Sequence, residues 1–354
     1  MLATPLTIDK WNSRNRLVVP PMVTRAASPE GIVSDYQIQH YASFSDVGII
    51  VVEATAVSPE GRLDARQIGA FADRHLPGLR QLADSIHKQG ALAAIQLLHA
   101  GGHTTRKNTH GLSLLAPSAI TRHRDQVLPQ AMDKADIQCI QENFVAAARR
   151  ARDAGFDAIE LHGAHGYLLS QFFSPAMNHR QDEYGCSLAN RARFALEVTE
   201  KVSAAVGKDC LVYVRLGVAD NIDNGLSLAE GLQLARWLVE AGAKMLHISG
   251  GVGGAPQLGS ADEELWSPTL RLAAEVKRVV NVPVIGVGGI IHPEQAEAAL
   301  RAGLADMIAI GRAMLADPRW ASKALGRDPN PISSCHQCPR CGHHQYPFTC
   351  PARK

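Results

Sequence analysis

Short apolar, β-branched runs alternate along this chain with longer stretches whose apolar residues recur at a helical period, and the alternation persists from one end to the other. Eight such runs stand out, at residues 16–19, 48–53, 92–97, 158–161, 211–215, 245–249, 284–287 and 307–310. The stretches between them predict helices. Residues 136–154 and 188–206 keep the 3.6-residue apolar period of a helix packed on one face. Ser227 and Glu230 form a capping box ahead of 231–241, and Pro293 stands where a first helical turn begins. Repeated strand–helix units of this kind predict an α/β fold, a TIM (β/α)8 barrel in preference to an open doubly wound sheet. One interval breaks the rhythm: residues 98–135 are long and rich in Gly, Pro, Thr and His, and read as a lid or hairpin over the site rather than as a linker.

The 354 residues divide at this level into a barrel over 1–330 and a cysteine-rich tail over 331–354. Hydrophobic residues at 46% and charged residues at 20% supply the core of an ordinary globular protein, and a net charge of +2 argues against nucleic acid or an anionic membrane as partner. Lys10, Arg14 and Arg16 interrupt the first 20 residues, and no apolar run approaches a membrane span, so a cytoplasmic location is expected. Cys139, Cys186 and Cys210 are scattered, whereas Cys335, Cys338, Cys341 and Cys350 crowd the end. That asymmetry points to a metal site in a reducing compartment rather than to a disulfide framework.

In a barrel of parallel strands the site lies beyond the carboxyl ends, so what each run delivers there decides the chemistry. These ends are Pro20, Pro21 and Met22; Glu53 and Ala54; Gln96 and His99; His162; Arg215; Ser249, Gly250 and Gly251; Gly288 and Gly289; and Gly311 with Arg312. The segment HGAHGY, residues 162–167, leaves its run with two imidazoles and a phenol together. Two hydrogen-bond donors for a developing oxyanion and one proton donor are what conjugate reduction requires. Taken alone, His162 and His165 suit equally a metal half-site or two histidines satisfied by neighbours.

GVGG at 286–289 and IGR at 310–312 fall where such barrels bind phosphate. Glycines admit backbone N–H groups to an anion, and Arg312 can pair with it bidentately. Ordinary tight turns explain the same glycines, and GVGG lacks the G-x-G-x-x-G spacing of a dinucleotide fold. Arg215 sets a fixed cation in the barrel mouth, and Gln96 offers both a donor and an acceptor. Together with a phosphate cradle they suit the pyrimidine edge and phosphate of FMN, the arginine favouring the anionic reduced ring.

In the tail, C-x2-C-x2-C is followed by Cys350, a set that suits a [4Fe-4S] cluster. Four thiolates with His336, His343 and His344 nearby suit structural zinc as well, and a redox-active thiol tail is the third reading.

The motifs NRLVVPPM, VVEATAV, IQLLHAGG, ELHGAHGYLLSQFFSPAMNHRQDEYG, VRLG, PVIGVGG and ADMIAIGRAMLADP resemble those of the Old Yellow Enzyme family of FMN-dependent NAD(P)H oxidoreductases, and the likeness covers most of the chain. The resemblance implies a TIM barrel holding FMN non-covalently, with Pro21, Met22, Val23, Ala54, Gln96, Arg215, Gly288, Gly289, Gly311 and Arg312 at the flavin. It implies that His162 and His165 hold a substrate oxygen. Hydride would pass from reduced FMN to the β-carbon of an activated alkene, and Tyr167 would protonate the α-carbon. The tail resembles that of the iron–sulfur branch, with its 2,4-dienoyl-CoA reductases and trimethylamine dehydrogenases, which implies a cluster on Cys335, Cys338, Cys341 and Cys350. Electrons would come from NAD(P)H directly or from a separate electron-transfer flavoprotein or ferredoxin.

Two departures stand out. Val23, followed by Thr24, occupies the position where the family commonly carries Thr or Cys to tune the flavin, and HAGGH puts Gly102 and His103 where some relatives have Arg-Lys.

The leading expectation is an ene-reductase; the rival in the same flavin class is an amine dehydrogenase or N-demethylase passing electrons outward through the cluster. An oxyanion pair has little to do with a cationic amine, which wants aromatic walls, and aromatic residues make up only 5% of the chain. A flavin-free aldolase needs a Schiff-base lysine at a strand end, and Lys244 precedes its strand. A non-catalytic electron-transfer subunit would use the tail and leave His162, His165 and Tyr167 without a task.

Overall fold

Runs apolar on both faces make strands covered on both sides, which a parallel sheet wrapped in helices provides. The computed structural model describes residues 1–121, 127–258, 266–339, 341–344, 348 and 350–353. Its centre is a closed barrel of β1 (Leu17–Val19), β2 (Ile49–Ala56), β3 (Leu92–Leu98), β4 (Ala158–Gly163), β5 (Leu211–Gly217), β6 (Leu246–Ser249), β7 (Val284–Val287) and β8 (Met307–Ala309). Each strand pairs in parallel with the next, and β8 closes on β1. The expected TIM barrel is the fold.

Helix boundaries follow local chemistry. Asp133 caps Lys134–Asp153 by accepting from the Asp136 N–H, Ser187 caps Leu188–Val206, and Ser227 with Glu230 forms the capping box of Leu228–Glu240. Pro293 opens Pro293–Arg301, where its missing N–H leaves no hydrogen bond unmade.

Successive strand residues face opposite sides, so each strand sends every second side chain inward. Val18, Ile49, Val51, Ala94, Ala158, Leu211, Tyr213, Met245, Ile285, Met307 and Ala309 pack there with Ile8. Ile8 belongs to an antiparallel ribbon of Leu6–Ile8 and Trp11–Ser13. Followed toward the carboxyl ends, the same inward positions become Gln96, Glu160, His162, Arg215, His247 and Ser249, all buried. The barrel is therefore apolar below and polar above, and the change occurs within single strands.

The long interval after β3 corrects one expectation. Leu115–Ala116 pairs with Gln130–Ala131 in parallel, whereas a hairpin requires antiparallel neighbours joined by a tight turn. The interval still reaches the strand ends, where the His103 ring lies 5.3 Å from that of Tyr167. At the other end of the chain the tail folds back on the barrel: Ser333 N–H donates to Asp317, and Arg353 Nε donates to the Leu315 carbonyl at 2.7 Å. Among the described residues no helix is long and apolar enough to cross a membrane.

Candidate active site

β4 ends at Gly163, and the chain turns at His165 and Gly166, both left-handed at φ 59° and 74°, before Tyr167 precedes the short helix Leu168–Phe173. This reversal brings the three side chains expected from sequence to one place. The rings of His162 and His165 are 5.1 Å apart, those of His162 and Tyr167 4.9 Å, and those of His165 and Tyr167 6.4 Å, all edge to face.

Their protonation states follow from burial. Desolvation, reinforced by His165 and by the Arg215 cation, holds the His162 pKa well below its ordinary value; desolvation and Arg215 do the same for His165. Both imidazoles are neutral near pH 7. His162 Nδ1 accepts from the Ala164 N–H at 3.3 Å, so its proton resides on Nε2, a donor for a substrate oxygen. His165 Nε2 lies 2.7 Å from Ser249 Oγ, which also accepts a long 3.5 Å bond from Arg215 Nη2. With the Ser249 hydroxyl donating to Nε2, the second donor is His165 Nδ1. Burial raises the Tyr167 pKa, against the pull of Arg215 and Arg25, so the phenol keeps its proton.

The cofactor candidates fall into two sets. Pro21, Met22, Arg215, Gly288, Gly289, Gly311 and Arg312 line one cavity of about 230 Å³. Val23 and Ala54 lie outside it, in an apolar cluster with Leu98, Ala100, Leu63 and Tyr167. Gln96 is buried below, its Nε2 donating to Glu160 Oε1 at 2.6 Å. Arg215 links the cavity to the histidines, being both a cavity wall and a charge that acts on His162 and His165.

These residues fit FMN on two structural counts. Among the described residues the buried Arg215 Nε has no hydrogen-bond partner, an orphan donor that an anionic ring edge would satisfy. Gly288 and Gly289, at φ 119° and 73°, conformations that side chains rarely adopt, line the cavity with backbone that an anion could approach.

Several contributors were not legible in the sequence. Thr24, adjacent to Val23, turns away from the cavity: its hydroxyl donates to Glu53 Oε1 at 2.6 Å and its N–H to Oε2 at 2.8 Å. Gln37 Nε2 adds a third donor at 3.1 Å. Glu53 is fully buried, and desolvation outweighs these hydrogen bonds, pushing its pKa up to about 7. Thr24 therefore offers the cavity no hydroxyl, and Glu53 holds the chain at the residue that follows Val23. Glu160 and His247 form a buried pair at 2.8 Å; a charged residue inside the apolar run AIELHG was the signal. Cys335 and Gln337 also line the cavity, so the tail reaches it.

The tail cysteines themselves are partly exposed free thiols. Among the described residues no group of three or more His, Cys, Asp or Glu is arranged to hold a metal ion. The four-thiolate set expected from their spacing is not assembled, and residues 340, 345–347 and 349 between them lie outside the described residues. Lys244 is exposed ahead of β6, away from the strand ends where a Schiff-base lysine would be needed.

Comparison with known proteins places this geometry in context. The profile of the NADH:flavin oxidoreductase / NADH oxidase family matches residues 1–329. An NADH oxidase of Thermoanaerobacter brockii is 41% identical over 92% of this chain, which spans about half (50%) of that relative. An NADPH dehydrogenase of Bacillus subtilis (strain 168) is 36% identical over 94% of this chain and 97% of its own length. Among solved structures, a 2-naphthoyl-CoA reductase in complex with 2-naphthoyl-CoA superposes with a TM-score of 0.89 at 26% identity, over 96% of this chain and 54% of that one. Morphinone reductase in complex with tetrahydroNAD superposes at 0.78 and 27% identity, over 93% of this chain and 92% of that one.

Proposed function

Because the chain belongs to the NADH:flavin oxidoreductase / NADH oxidase family, the Old Yellow Enzyme family, we propose that it reduces the C=C bond of an α,β-unsaturated carbonyl or similar activated alkene, with FMN as cofactor. Gly288, Gly289, Gly311 and Arg312 would hold the phosphate, and Arg215 and Gln96 the pyrimidine edge. Pro21, Met22, Val23 and Ala54 would line the remaining flavin contact. When bound, reduced FMN supplies the hydride delivered to the β-carbon. NADH or NADPH is the proposed reductant, in keeping with the names of the relatives.

The chain's own residues do the rest. His162 Nε2–H and His165 Nδ1–H would grip the substrate oxygen and stabilise the negative charge that grows on it, and neutral donors in a buried site are strong ones. Tyr167 would pass its proton to the α-carbon. The observation that carries this reading is the convergence of two neutral imidazoles and a protonated phenol beside Arg215.

Anaerobic rapid mixing of the Tyr167→Phe variant tests it. Flavin reduction by NAD(P)H should proceed at the parent rate, while alkene reduction slows by roughly 10² to 10⁴. Undiminished alkene reduction would reject the phenol as proton donor.

For the tail we propose a metal site, [4Fe-4S] or zinc, on Cys335, Cys338, Cys341 and Cys350. The spacing supports it, and because the four thiolates are not gathered among the described residues, the metal would have to draw them together. A cluster there would suit exchange with an electron-transfer flavoprotein or ferredoxin, and the family's amine-oxidising chemistry would then be the alternative function. Iron, sulfide and zinc analysis after anaerobic purification decides: roughly four irons per chain supports the cluster, one zinc a structural site, and neither metal rejects both.

A further inference from the structure

Beneath the cavity, one charged group has no task in the reaction described above. Glu160 occupies an inward position of β4 and is fully buried. Its Oε1 accepts from Gln96 Nε2 on β3 at 2.6 Å, and its Oε2 from His247 Nδ1 on β6 at 2.8 Å. A carboxylate has only lone pairs to offer, so both neighbours must turn donors toward it. For Gln96 the choice is between two faces of one amide: with the NH2 committed to Glu160, the carbonyl Oε1 is the face left to accept from another group. His247 is held neutral by burial, carries its proton on Nδ1, and leaves a buried Nε2 with no partner among the described residues. Arg215, buried at the cavity wall, supplies the balancing charge.

We propose that Glu160 is a positioning residue that acts through Gln96: its carboxylate fixes the amide so that an acceptor faces the flavin pyrimidine ring, matching the ring N3–H, and its charge offsets that of Arg215. This deepens the flavin reading and rests on it. With a neutral amide at position 160 the Gln96 side chain is free to turn over, and its NH2 then meets N3–H as donor against donor. The flavin also loses a nearby negative charge.

The test uses the holoprotein loaded with FMN carrying ¹⁵N at N3. In the parent protein the N3–H proton should resonate downfield of free FMN and exchange slowly, as a hydrogen-bonded proton does. In Glu160→Gln it should move upfield and exchange faster, the FMN dissociation constant should rise about tenfold, and the flavin midpoint potential should move to a more positive value. A purely structural glutamate would lower stability and leave the N3 resonance and the potential unchanged in the variant, which overturns the proposal. Should Glu160→Gln fail to fold, the parent spectrum with Gln96→Leu decides: a solvent-like N3–H in the parent, or one that Gln96→Leu does not alter, overturns it too. A protein that takes up no FMN refutes the flavin reading itself, an outcome distinct from an FMN-loaded protein with an unperturbed N3 signal.

Discussion

Replacing Glu53 by Gln should make the protein more stable in mild alkali and less stable in mild acid. Glu53 is buried and receives the Thr24 N–H, the Thr24 hydroxyl and the Gln37 amide, yet its pKa stands at about 7 against an ordinary 4.5. A carboxyl group whose pKa is raised on folding contributes its full stability below the unfolded value, near 4.5, and loses it as pH rises through about 7. At about 1.36 kcal/mol per tenfold, the loss by pH 8.5 is roughly 3 kcal/mol. Glutamine cannot ionise, so it removes this dependence. Its NH2, however, must face either the Thr24 N–H or the Gln37 donor, a mismatch worth about 1–2 kcal/mol at every pH. The difference between variant and parent should therefore swing by roughly 2 to 3 kcal/mol in the variant's favour between pH 5 and 8.5. Urea unfolding of the two holoproteins at pH 5, 6, 7 and 8.5 measures it, and taking the difference cancels the other titrating groups. A difference that stays flat, or that moves in the parent's favour with rising pH, refutes the reasoning.

Two further outcomes are expected. On the proposed mechanism His162→Ala removes one oxyanion donor and should lower the alkene-reduction rate by roughly 10² to 10³ with flavin reduction unchanged; equal loss in both half-reactions would mean that flavin binding was damaged instead. Because the histidine pKa values lie well below their ordinary range and that of Tyr167 above its own, the rate of alkene reduction should be level from about pH 6.5 to 9.5. A titration centred near 6.5 in that profile would show that one imidazole works as a cation.

The barrel strands were legible because each is an apolar run interrupted by helical periodicity, and the observed ends differ from the expected ones by only a residue or a few. The strand-end rule then found the cavity: Pro21, Met22, Arg215, Gly288, Gly289, Gly311 and Arg312 converge because parallel strands deliver their last residues to one rim. What escaped the sequence involves the inside of the barrel and side-chain direction. Glu160 meets His247 across the intervening β5; the charge inside an apolar run marks Glu160 but says nothing of its partner. Thr24 turns toward Glu53, a choice settled by a buried carboxylate 29 residues away. The parallel pairing of Leu115–Ala116 with Gln130–Ala131 rests on two hydrogen-bonded residues per strand, too short for any periodicity to register.

The left-handed backbone at His165 sets limits on how this pocket can be re-engineered. At φ 59°, followed by Gly166 at 74°, a β-branched or bulky residue sits in a sparsely allowed conformation, while Asn is among the few tolerated there. Most members of a randomised library at position 165 thus carry a backbone cost of roughly 1–2 kcal/mol, which Asn, combining this backbone with an amide donor, largely escapes. Position 103, on the long interval beside Tyr167, carries no such constraint. Substrate scope is best widened from that side, with the turn at 165–166 kept as the fixed jaw of the vice.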